Sequence, residues 1–111
     1  AFRELAIERE WELVAVESQF KVGVAARLRG MSHRNLNREF HSTFQCSPKK
    51  WFKHQQLAVA MKWLLESRSV KMAAYSSGYT HVGNFSRDFK REFGITPTEF
   101  LTLDRNSSGQ F

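Results

Sequence analysis

The chain has one cysteine, Cys46, and only two prolines, Pro48 and Pro97, in 111 residues. A single cysteine excludes an intramolecular disulfide and fits a reducing compartment. Apolar runs reach only a few residues, far short of the roughly 20 a membrane-spanning helix needs. No signal-peptide pattern opens the chain, because its first residues are acidic rather than basic. An N-terminal alanine is what a processed product or a fragment of a longer protein presents. No stretch alternates polar and apolar residues for long enough to make a convincing strand. The four histidines, at 33, 41, 54 and 81, and Cys46 lack the spacing of a metal site. Nor does any nucleophile–base arrangement or glycine-rich phosphate loop appear. Metal, cofactor and catalysis are therefore not expected.

What is present is apolar and basic. Hydrophobic residues make up 41% of the chain and include ten phenylalanines, enough to build a core without staples. The length suits one domain, or two very small subdomains sharing an element. The net charge of +6 is uneven: residues 1–19 carry −3 and residues 20–111 carry +9. That asymmetry points to a polyanionic partner for the body of the chain, although many basic proteins bind none.

Helical spacing dominates and predicts an all-α fold of seven helices, over 3–17, 22–29, 33–44, 48–66, 70–77, 83–93 and 97–103. Pro48 and Pro97 each fall at the first position of a helix, after Ser47 and Thr96 as caps. The last eight residues, "DRNSSGQF", form a polar tail expected to fray.

An internal repeat organises the chain. The segment "VGVAARLRGMSHRNLNREFHSTFQCSP" (22–48) matches "VKMAAYSSGYTHVGNFSRDFKREFGITP" (70–97). At an offset of 48, Val22 matches Val70, Ala25 and Ala26 match Ala73 and Ala74, and Gly30 matches Gly78. One extra residue enters the second turn. At an offset of 49, Leu36 then matches Phe85, Arg38 matches Arg87, and Phe40, Phe44 and Pro48 match Phe89, Phe93 and Pro97. Each copy is a short helix with small residues, a glycine-containing turn and a second helix with apolar residues four apart. That is the outline of a helix-turn-helix, whose second helix enters the DNA major groove. A single copy would fit a plain αα-hairpin better; two copies in a basic chain reverse that preference.

At about 100° per residue, Leu36, Phe40 and Phe44 share one face, while Arg34, Asn37, Arg38 and His41 cluster about 110° away. In the second copy Phe85, Phe89 and Phe93 point inward, and Gly83, Ser86, Arg87 and Lys90 outward. The acids Glu39 and Asp88 sit away from the centre of each stripe. Arg pairs bidentately with guanine and Asn with adenine, while hydroxyls and Lys suit phosphate. An ordinary solvated face is the plain alternative. A helix over 48–66 would span about 28 Å, near the roughly 34 Å of one DNA turn. Two reading helices could then enter successive grooves on one side of a duplex. Trp51, Phe52, Leu57, Ala58, Met61, Leu64 and Leu65 are expected to form its two buried faces. Lys49, Lys50 and Lys53 are candidate phosphate contacts at its start.

The run "GYTHVGNFSRDFKREFGITPTEF" (78–100) resembles the signature of the AraC/XylS transcription regulators, and "GMSHRNLNREF" followed by Ser47-Pro48 is similar to that family's first motif. The resemblance covers about residues 3–103. It implies a single DNA-binding domain over 1–111: a first helix-turn-helix unit over about 3–47, a linking helix over 48–66, a second unit over 67–103 and a polar tail over 104–111. It also implies a bacterial regulator, more often an activator, that binds double-stranded promoter DNA in the cytoplasm at the nucleoid and contacts RNA polymerase. An effector-binding or dimerisation domain is expected in the full-length protein. Carried over, the base-reading positions fall on Arg34, Asn37 and Arg38, and on Val82, Gly83, Ser86 and Arg87. Val82 and Gly83 replace longer polar residues that some members use. The candidate base contacts are therefore Arg34, Asn37, Arg38 and Arg87, with Arg87, Asn84 and Lys90 expected mainly to grip backbone. Backbone or secondary contacts are expected at Ser32, His33, His41, Lys49, Lys50, Thr80, His81, Asn84, Ser86 and Lys90. His33 and His81, taken as equivalent turn positions, are read as phosphate neighbours or caps. An RNA-binding or partner-binding helical module is the alternative; the first would expose aromatic rings for base stacking.

Overall fold

A computed structural model of the protein describes residues 2–108, with side chains described for 3–105. These residues form seven α-helices and no strand: α1 (Phe2–Glu17), α2 (Val22–Leu28), α3 (His33–Phe44), α4 (Pro48–Ser67), α5 (Val70–Ser76), α6 (Val82–Phe93) and α7 (Pro97–Ser108). The chain divides into two compact units, 1–56 and 57–111, and the boundary falls inside α4.

In the first unit α2 packs against both α1 and α3. Ala25 and Ala26 are buried at that crossing, where small side chains allow close approach. Phe40 stands at the centre of the core, fully buried. Its ring meets Trp11 at 4.8 Å, Trp51 at 5.5 Å and Phe52 at 5.9 Å, all edge-on, and Phe44 at 5.0 Å. Edge-to-face pairs of this kind add to the burial of the rings themselves. Trp51 and Phe52 come from the first turns of α4, so that helix is part of this core.

The second unit repeats the plan. Its core comprises Leu57, Ala60 and Leu64 of α4 with Ala73, Ala74, Tyr79, Phe85 and Phe89. Leu57, Ala60 and Leu64 are spaced i, i+3 and i+7, one stripe of a helix. Ala58 and Leu65, expected inside, each lie one residue (about 100°) off that line and are exposed, while Met61 is half-buried. Phe93 departs from its expected inward position too. It is 43% exposed, because it is the last residue of α6, and its ring meets the core ring of Phe89 at 4.6 Å between centres.

The two interhelical turns begin identically. In the first, Gly30 takes φ +64°, Met31 N–H donates to the Ala26 carbonyl (2.8 Å) and Gly30 N–H to the Arg27 carbonyl (3.1 Å). In the second, Gly78 takes φ +91°, Tyr79 N–H donates to Ala74 (3.0 Å) and Gly78 N–H to Tyr75 (3.2 Å). This paired pattern is the Schellman termination, and it places glycine where a Cβ would be strained. The turns then differ by one residue: 29–32 joins α2 to α3, and 77–81 joins α5 to α6. Ser32 and His81 are therefore the corresponding N-caps, and His33 corresponds to Val82. The expected equivalence of His33 and His81 is thus corrected by the inserted residue.

Both proline-led helices are capped as their sequences suggest. Ser47 Oγ accepts from Lys50 N–H at 3.2 Å. Thr96 Oγ1 accepts from Glu99 N–H at 3.1 Å while Glu99 Oε1 accepts from Thr96 N–H at 3.3 Å, a reciprocal capping box. The helix that follows runs further than its sequence suggests, through residue 108 instead of ending at 103. Arg68 explains part of this: its guanidinium pairs with Asp104 and donates to the Leu101 carbonyl at 3.2 Å, holding the second half of α7. Residues 104–108 of the expected frayed tail are therefore helical, and 109–111 lie outside the described residues.

Candidate nucleic-acid interface

The helix α3 begins at Ser32, whose extended backbone and side-chain oxygen cap the helix by accepting from Asn35 N–H at 3.1 Å. With its start set there, the 3.6-residue period places Leu36 and Phe40 inside at 0% exposure and leaves Arg34, Asn37, Arg38 and His41 outside. Ser32 and His33 are also exposed. His33 is the first residue of α3 and does not act as its cap. Asn35 is exposed beside them, the repeat counterpart of Asn84, and was not singled out by sequence; the repeat alignment itself could have pointed to it.

One neighbour of this stripe is legible only in three dimensions. His33 and Asn37 share a cleft of about 450 Å³ with Ser47 and with Pro48, Lys49 and Lys53 of the α4 start, and Phe20 and Val22 also line it. The fold thus carries α4's basic first turns to the edge of the α3 stripe. Lys49 and Lys50 are exposed there. Lys53 Nζ donates to Gln56 Oε1 at 3.4 Å, so this third lysine is partly engaged within the protein.

In the second unit, Phe85 and Phe89 are fully buried, and Gly83, Asn84, Arg87 and Lys90 are exposed with Ser86 half-buried. Thr80 and His81 are exposed in the turn and Val82 is half-buried. His81 occupies the N-cap position, yet its ring makes no capping bond. Arg87 is 64% exposed and lies with Nε 4.0 Å from Asp88 Oδ1.

Asp88 itself is buried and accepts from the Tyr79 hydroxyl at 2.9 Å. Burial, and then this hydrogen bond, push the Tyr79 hydroxyl well above its ordinary range, so it stays protonated. The helical period sets Asp88 off the stripe and assigns it no partner. The signal was in the repeat: Met31 and Glu39 stand where the second unit has Tyr79 and Asp88. The second unit therefore ties its turn to its outer helix with a buried polar pair that the first unit lacks.

Among the described residues no cluster of three or more His, Cys, Asp or Glu could hold a metal ion. None of the described helices is long and apolar enough to cross a membrane. What the two stripes present is a set of exposed guanidinium, amide, imidazole and ammonium donors on helices anchored by buried rings. Such donors match phosphate oxygens and base edges.

This arrangement defines a tandem helix-turn-helix module, and comparison with known proteins agrees. The family described as a helix-turn-helix domain matches residues 25–102. The HTH-type transcriptional regulator RipA of Corynebacterium glutamicum is 31% identical over 77 residues, 69% of this chain and 23% of that protein. The probable thc operon regulatory protein of Rhodococcus erythropolis is 33% identical over 84 residues, 72% of this chain and 25% of that protein. The crystal structure of a probable AraC family transcriptional regulator from Rhodopseudomonas palustris superposes with a TM-score of 0.65 at 27% identity, covering 86% of this chain and 94% of that one. The chain belongs to the AraC/XylS-type helix-turn-helix family of DNA-binding transcription regulators, which is not an enzyme family. It spans about a quarter of the length of these two curated relatives.

Proposed function

We propose that the chain binds double-stranded promoter DNA sequence-specifically, with α3 and α6 in successive major grooves, as the DNA-binding part of a bacterial transcription activator. The observation that carries this reading is the repetition of one device. Each of α3 and α6 buries an aromatic face and exposes an arginine at the same repeat position, Arg38 and Arg87. Arg34, Asn37 and Arg38 read base edges, supported on the backbone by Ser32, His33, His41, Lys49 and Lys50. In the second unit Arg87 contacts DNA with Asn84, Lys90, Ser86, Thr80 and His81, and mainly grips phosphates, since Val82 and Gly83 offer no side-chain donors to bases. The protein works in the cytoplasm at the nucleoid. Its remaining partners are RNA polymerase and an effector or dimerisation domain elsewhere in the full-length regulator.

A reader of single-stranded RNA would present aromatic rings for stacking. Here Phe40, Phe85 and Phe89 are sealed in the cores, and the exposed rings, Trp63 of α4, Tyr75 of α5 and Phe93 at the end of α6, stand off the donor stripes, which favours duplex DNA. The experiment is enrichment of bound sites from a random duplex pool, followed by titration at several salt concentrations. Neutralising about six phosphates gives a slope of log affinity on log salt near −5. A salt-independent interaction, no enrichment at low salt, or preference for single-stranded RNA would overturn the reading.

A further inference from the structure

Gly83 is the second residue of α6 and stands on its outward stripe, in line with Arg87 and Lys90. Nothing among the described residues explains a glycine there. Its backbone is not among the positive-φ positions, so any L-residue could adopt it. A Cβ built on it would meet no atom within 4 Å. Glycine within a helix is destabilising relative to alanine, through the conformational freedom it loses on folding. The corresponding position of the first unit, Arg34, carries one of the longest side chains. The bare position is therefore unfavourable for the fold and unforced by its neighbours, and its explanation lies outside the chain.

In a helix-turn-helix the N-terminal residues of the second helix meet base edges. Glycine is also the residue that lets backbone come close to a ligand. We infer that Gly83 is a close-approach point for DNA: the space a side chain would fill is taken by a base-pair edge at the floor of the major groove. The inference rests on the proposed DNA-binding function and deepens it. The second unit then contributes to specificity through shape as well as grip. A bulkier residue at 83 holds the α6 backbone off the preferred base pairs and loses that close fit, while Arg87 and Lys90, at the ends of long flexible side chains, still reach the phosphates.

This differs sharply from a position that has merely lost a contact, where an added donor would help or do nothing. The test uses Gly83→Ala and Gly83→Arg, the second installing the residue found at the repeat counterpart. Each is titrated with the site enriched by the unaltered chain and with a scrambled duplex, and each is melted without DNA. Both variants should unfold at or above the original midpoint, by up to about 4 °C for the alanine. Affinity for the enriched site should fall about tenfold for Gly83→Ala. It should fall further for Gly83→Arg despite its added positive charge, while the scrambled duplex changes much less. Unchanged affinity in Gly83→Ala, or tighter binding of the enriched site by Gly83→Arg, would overturn the inference and leave the DNA-binding function standing. Failure of the unaltered chain to enrich any duplex would instead sink the proposed function, and this inference with it.

Discussion

Replacing Phe40 by alanine should be among the most damaging single changes available to the first unit. The ring is fully buried and four other aromatic rings lie within 5.9 Å of it. Returning a phenylalanine side chain to water accounts for about 1.5–3 kcal/mol. The cavity left behind adds to this, giving about 3–5 kcal/mol for such truncations. Trp11, Trp51 and Phe52 meet the ring edge-on, each pair contributing about 0.5–1.5 kcal/mol beyond burial, so the loss should fall near the upper end. A small domain has about 5–15 kcal/mol in total. Urea unfolding reports this directly, because Trp11 and Trp51 are buried reporters in the same core. The fluorescence midpoint should drop by the equivalent of about 4–5 kcal/mol with little change in slope. Phe93→Ala is the counter-test. Its ring is 43% exposed and packs on Phe89 alone among the rings, so the loss should stay below about 1.5 kcal/mol. A loss under about 2 kcal/mol for Phe40→Ala, or one as large for Phe93→Ala, would refute this account of the core.

Arg38→Ala should weaken the enriched DNA site by about 1–3 kcal/mol and relax its base preference, whereas Arg87→Ala should weaken enriched and scrambled duplexes alike and reduce the salt slope by about one; paired titrations decide, and the opposite pattern would reverse the two units' roles. Tyr79→Phe should cost about 1.5–3 kcal/mol in denaturant unfolding, since its hydroxyl donates to a carboxylate. Because the folded-state hydroxyl titrates above its ordinary value of 10.0, its stabilisation is complete below about pH 10 and fades as pH rises further. Tyr79→Phe should therefore lose less stability than the unaltered chain between neutral and strongly alkaline pH. Gly30→Ala should cost about 1–2 kcal/mol from backbone strain alone, because φ is +64° and a Cβ there meets no atom within 4 Å; a neutral result would mean that the turn relaxes.

The helices, their caps and the duplication were readable from the chain because each depends on residues close in sequence. The period-four spacing of Leu36 and Phe40, the Ser47-Pro48 start and the matched Ala-Ala…Gly segments specify local hydrogen bonds and one apolar face. The outward positions of Arg34, Asn37, Arg38 and His41 follow from the same geometry, since a residue about 110° from a buried line must face away from it. Tertiary structure decided the rest. Ala60 rather than Ala58 lies in the second core, and Phe93 stands half outside, because burial depends on which neighbours end where. Tyr79 meets Asp88 only because a five-residue turn folds one helix against the next, and no periodicity encodes that meeting. The apposition of Lys49 and Lys53 with His33 and Asn37 likewise needs α4 to fold back beside α3. Residues 104–108 read as a fraying tail since local sequence holds no partner for Asp104; the partner is Arg68, 36 positions earlier. Local sequence sets which face a helix buries, and only the packed chain determines what distant residue waits at its end.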